Sequence, residues 1–183
     1  MHARILDRSQ AFLLVVDLQE TYRDKLHEWQ RTSTRAAILV RAAHLLELPV
    51  LCTEQYPKGL GRTAPEIREA LGDAEVYEKT AFSALGAPHV SERVLGLGRR
   101  HAIVCGIETH ACINQTAHDL LASGFQVHLP EDALSSRHPS DHRAGLAKML
   151  ASGAIGGSVE SVLLECMRGS THPAFHAVQA LLK

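Results

Sequence analysis

The feature that most constrains this chain is its alternation of short, wholly apolar runs with longer segments of helical periodicity. "AFLLVV" (Ala11 to Val16) is six residues without a polar position, which reads as a strand buried on both faces. "TSTRAAILVRAAHLLEL" follows with Ile38, Ala42, Leu45 and Leu46 on one face, and Pro49 lies beyond it. "PVLCTE", "EVYEK", "HAIVCG" and "FQVHLP" read as further strands, and "VESVLLE" as the sixth. Helical patterns lie between them, at "HVSERVLGLG", from Ile113 to Gly124, at "SDHRAGLAKMLASG" and in the closing "HPAFHAVQALL". Strands alternating with helices need crossover connections, so the sheet is expected to be mostly parallel with helices on both faces.

A chain of 183 residues is expected to form a single domain over residues 1–183. No repeat, low-complexity tract or linker divides it. The least regular stretch runs from Gln55 to Asp73, a long loop with a short helix near Ala64 to Leu71. A formal net charge of −1 gives no sign of electrostatic capture of nucleic acid or of an anionic membrane. The first apolar run is too short for a signal segment, and none has transmembrane length. The four cysteines, Cys52, Cys105, Cys112 and Cys166, form no C-x-x-C pair or zinc pattern. A cytoplasmic location with reduced thiols is the default expectation.

Three reactive residues fall where the carboxyl ends of the strands should lie, the edge at which open parallel sheets bind ligands. Asp17 ends the first strand, Lys79 the third, and Cys112 follows the fourth at the start of a helix. A thiolate is the nucleophilic form of cysteine. A helix start and a neighbouring ammonium would both favour it, while an aspartate could take and return the proton. Backbone N–H groups at the helix start could bind an oxyanion. Each residue also has a plain reading: a turn carboxylate, a solvated amine, and a cysteine serving as a small hydrophobe. The residues alone leave both open.

The segments "LLVVDLQ", "EKTAFSA", "GIETHACINQT" and "LPEDALSSR" occur in an order that resembles the isochorismatase-like cysteine hydrolases over nearly the whole chain. "TEQYPKGLG" is similar to the isochorismatase-domain proteins whose physiological substrate is often unassigned. The resemblance implies a three-layer Rossmann-like α/β sandwich around a six-stranded sheet, often assembled into dimers or larger homo-oligomers. It implies a triad of Asp17, Lys79 and Cys112, a cis peptide between Ile107 and Glu108, and oxyanion donors in the backbone N–H groups of Glu108 and Cys112. It implies that Cys112 attacks a small amide, imide or related carbonyl compound, and that water then releases the covalent intermediate.

Nicotinamidase-type members bind a metal through an Asp and two His residues ahead of the catalytic lysine. This chain has no histidine from Leu45 to Pro88, so no metal or other cofactor is expected. His110 and Ala111 stand where nicotinamidases often carry Asp and Tyr, which lowers nicotinamide as a substrate. Candidate pocket residues are Phe82, Glu54, Gln55, Tyr56 and His110, each with a packing, capping or solvated alternative. Thr109 is expected to cap the nucleophile helix. Two other functions compete: a non-catalytic binding or scaffold member of the fold, and a thiol-redox sensor pairing Cys112 with Cys105.

Overall fold

The computed structural model describes residues 2 and 4–183. Seven strands form one sheet: β1 (Ala11–Val16), β2 (Val50–Gln55), β3 (Glu75–Lys79), β4 (His101–Ile107), β5 (Gln126–Pro130), β6 (Leu134–Ser135) and β7 (Ile155–Gly157). Their order is β3-β2-β1-β4-β5-β7, with β6 added beside the end of β4, and every pairing is parallel. The helices are α1 (Trp29–Leu45), α2 (Pro57–Leu60), α3 (Pro65–Leu71), α4 (Pro88–Gly96), α5 (Asn114–Ala122), α6 (Pro139–Ala151), α7 (Val159–Met167) and α8 (Phe175–Leu182).

The sheet divides the apolar interior in two. Leu13, Val15, Cys52 and Ile103 pack on one side with α1, α3, α7 and α8. Phe12, Leu14, Val16 and Val104 pack on the other with α4, α5 and α6. Alternate residues of β1 therefore feed opposite cores, which is why the whole strand is apolar and buried. The result is the expected three-layer α/β sandwich.

Two expectations change. "VESVLLE" is not a strand but most of α7: Val159, Val162, Leu163 and Cys166 face inward at helical spacing while Leu164 is exposed. Ser158 and Ser161 close a reciprocal capping box at its start. The sheet accordingly has seven strands rather than six, because two very short ones, β6 and β7, replace that assignment.

From β1 the chain crosses to β2 and β3 on one flank, whereas β4, β5 and β7 build out the other. Right-handed crossovers in opposite directions put α1 and α5 on opposite faces and leave a crevice between the ends of β1 and β4. The two strands approach so closely there that a Cβ at Gly106, whose φ is +118°, would collide with the Val16 carbonyl. Among the described residues, no helix is long and apolar enough to cross a membrane.

Candidate active site

Asp17 is the first residue beyond β1. It has φ of 55°, a left-handed conformation costing about 1 kcal/mol for a non-glycine residue. Its N–H donates to the Thr53 carbonyl at 3.0 Å, and its Oδ1 accepts from the Thr53 hydroxyl at 2.7 Å. The neighbouring strand thus fixes both backbone and carboxylate.

Lys79 ends β3, and its side chain is fully buried. Nζ donates to Asp17 Oδ2 at 2.7 Å and Gln55 Oε1 at 2.6 Å, and it also lies within hydrogen-bond range of the Ala81 and Phe82 carbonyls, at 3.2 and 3.0 Å. A buried ammonium survives only with such partners. Gln55 is held in turn, its Nε2 donating to the Thr80 carbonyl at 2.8 Å.

Cys112 lies in one wide π-helical turn, Thr109–Ile113, between β4 and α5. The Ile113 N–H reaches back five residues to the Glu108 carbonyl at 3.2 Å. The peptide between Ile107 and Glu108 is cis. Helix α6 presses on this turn: a Cβ at Gly145 would stand 2.6 Å from the Cα of His110. Thr109 does not cap the turn as expected; its hydroxyl pairs with His142 Nδ1 on α6 at 2.9 Å. Glu108 is the residue in the capping position, and its side chain accepts from the Arg137 N–H and Nε, both at 3.0 Å.

The sulfur does not have the electrostatics that its place near a helix start suggests. Burial pushes the Cys112 thiol up to about 12, the Asp17 carboxylate adds to the effect, and the Lys79 ammonium opposes it. Lys79 cannot win, because Asp17 neutralises the charge it would bring to the thiol. The direction is opposite to the one that a helix start and a neighbouring ammonium favour. The other cysteines are buried and unpaired.

A cavity of about 660 Å³ opens over Cys112, Asp17 and Glu108. Of the expected pocket residues, Gln55, Tyr56, Phe82 and His110 line it, and His110 Nδ1 is 3.0 Å from the Ser136 hydroxyl. Glu54 does not. It precedes Gln55 in β2, and neighbouring strand residues point to opposite faces. Its carboxylate binds the Thr63 N–H and hydroxyl at 2.7 Å and Arg62 at 2.9 Å, away from the cavity. Tyr22, Leu60 and Arg137 line the cavity without having been singled out in the sequence. Leu60 and Arg137 carried a signal, as members of "TEQYPKGLG" and "LPEDALSSR"; Tyr22 carried none. Among the described residues, no three His, Cys, Asp or Glu side chains gather as a metal site.

The sequence profile of the isochorismatase domain matches residues 11–161. Isochorismatase domain-containing protein 2A of Mus musculus is 41% identical over 181 residues, covering 98% of this chain and 85% of the mouse protein. Isochorismatase domain-containing protein 2 of Xenopus laevis is 40% identical over 178 residues, covering 97% and 85%. Among solved structures, the MAR1 ribonuclease from Caenorhabditis elegans superposes with a TM-score of 0.91 at 36% identity, covering 97% of this chain and 91% of that one. The chain belongs to the isochorismatase domain family.

Proposed function

We propose that the protein is a cysteine hydrolase of small amides, imides or related carbonyl compounds, with Cys112 as nucleophile, Asp17 as proton carrier and Lys79 as fixed counter-charge. The observation that carries the reading is the buried Asp17–Lys79 pair at 2.7 Å beneath a cavity that also exposes Cys112. A fold does not bury a charged pair beside a solvent-connected thiol for stability alone, because an apolar pair would serve as well or better.

The steps balance as follows. As the substrate carbonyl arrives, the Cys112 thiol gives its proton to Asp17 and sulfur attacks the carbon. The carbonyl oxygen becomes an oxyanion, bound by the backbone N–H groups of Glu108 and Cys112. Asp17 returns the proton to the leaving nitrogen, the C–N bond breaks, and a thioester remains. Water then gives a proton to Asp17 and its oxygen to the carbonyl carbon. The C–S bond breaks, the proton goes back to sulfur, and the acid leaves. Lys79 has no proton to spare in this cycle; it holds Asp17 in place. A thiol that ionises only when the electrophile is present is protected from chance oxidation, which weighs against the redox-sensor alternative.

The C. elegans relative supplies a competing reading, RNA cleavage. With 19 Lys and Arg against 20 Asp and Glu, and Arg137 the one arginine lining the cavity, the chain offers little to a polyanion. The test is a panel of small amides and imides scored for ammonia release, with an RNA oligonucleotide as a parallel substrate. Cys112→Ala should lower amide turnover by about a thousandfold or more, and Asp17→Asn by about 10²–10⁴-fold. RNA cleavage that survives Cys112→Ala, with no amide turned over, would overturn the proposal. No turnover at all, with small amides still protecting Cys112 from alkylation, would favour the binding alternative.

A further inference from the structure

Next to the main cavity lies a second recess of about 360 Å³. It is lined by Pro57, Ala81, Ala87 and Pro88, together with Lys58, Glu78 and His89. Lys79 lines it as well, so it adjoins the site. Tyr56 and Thr80 line both spaces.

Tyr56 is the larger of the two shared residues, and the structure holds it firmly. Its N–H donates to the Lys79 carbonyl at 2.8 Å, and its own carbonyl accepts from the Gly59 and Leu60 N–H groups, both at 2.9 Å. Its φ is 38°, a left-handed value that turns the chain out of β2. The ring lies over Gly59 so closely that a Cβ there would stand 2.5 Å from its Cε1. Only glycine leaves room for the ring in this position. Yet the residue is 53% exposed, so packing in the core is not what it provides.

We infer that Tyr56 is the length-determining residue of the site: its ring is the partition between the cavity over Cys112 and an apolar recess. A smaller residue at this position would therefore admit an amide with an alkyl extension of several carbons into the recess. The inference rests on the Cys112-centred reading above and adds to it which substrates fit.

The test follows alkylation of Cys112 in the intact protein by mass spectrometry, using iodoacetamide and its N-hexyl analogue. In both reactions sulfur displaces iodide from carbon and the thiol proton leaves, so only the reach of the reagent differs. Each rate is divided by the rate with glutathione, and the readout is the long-to-short ratio. Tyr56→Ala should raise that ratio by about fourfold for every methylene the merged cavity takes out of water. Tyr56→Phe should keep the wild-type ratio, since the ring and not the hydroxyl forms the partition, and Tyr56→Trp should lower it. Alkylation of Cys112 with one ratio across Ala, Tyr and Trp would overturn the partition while leaving the nucleophile intact. Failure of either reagent to modify Cys112 in any variant, while other thiols react, would overturn both.

Discussion

Replacing Lys79 by Met tests the charge arrangement on which the site depends. The methionine has nearly the same length but no donor, so Asp17 Oδ2, Gln55 Oε1 and the Ala81 and Phe82 carbonyls all lose the ammonium. The Asp17 carboxylate keeps only its Thr53 partners and stays 2% exposed. Removing one member of a buried pair costs about 3–5 kcal/mol, mostly from the charge left behind. In a domain of this length each kcal/mol lowers Tm by about 2–4 °C, so Lys79→Met should melt about 6–20 °C below wild type. Urea unfolding of wild type, both single variants and Asp17→Asn/Lys79→Met completes a double-mutant cycle. The double variant should be more stable than Lys79→Met alone, because no stranded carboxylate remains. A cost below about 1 kcal/mol for Lys79→Met, the range of exposed pairs, would refute the reasoning, as would strictly additive single effects.

Two further outcomes concern pH. Burial holds His128 down to about 4, against an ordinary value near 6.5. The unfolded chain therefore takes up the proton first; stability is complete above about pH 6.5 and falls as pH drops toward 4, by at most about 1.4 kcal/mol per pH unit. His128→Gln should flatten that part of a urea-midpoint profile, and an unchanged slope would exclude His128 as its source. For Cys112, raised to about 12, the rate of iodoacetamide alkylation should still be climbing at pH 9, with no plateau near neutrality. Asp17→Asn removes an anion that keeps the proton on sulfur, so it should move the whole profile to lower pH. A wild-type plateau at pH 7 would show an activated thiolate instead.

What the sequence conveyed follows from how local each signal is. β1 was legible because burial on both faces leaves an unbroken apolar run, and Asp17, which ends it, was legible as the first polar residue. Lys79 was legible as a reactive residue ending β3, and Cys112 as one in the turn that follows β4. "VESVLLE" misled because a short, heavily apolar run declares no period; the Ser158–Ser161 spacing was the better signal, since it marks a helix start. Glu54 and Gln55 were grouped as pocket residues, whereas strand alternation separates them. Tyr22 and Arg137 went unassigned because they sit in connections whose path depends on the whole sheet. The burial that raises the Cys112 thiol has no signature in the sequence, because a helix start is written locally whereas burial is created by elements far along the chain.

The central placement of β1 sets the timetable of synthesis. Its two neighbours are β2, made soon afterwards, and β4, whose first residue is His101. At about 5–20 residues per second, a growing chain spends several seconds with the β1 hydrogen-bonding edge still waiting for that second partner. For that interval the wholly apolar β1 hexapeptide offers an open edge to any neighbour on the polysome. Slower decoding between α4 and β4 lengthens the interval, so soluble yield should depend on codon speed there more than on codon speed after β4.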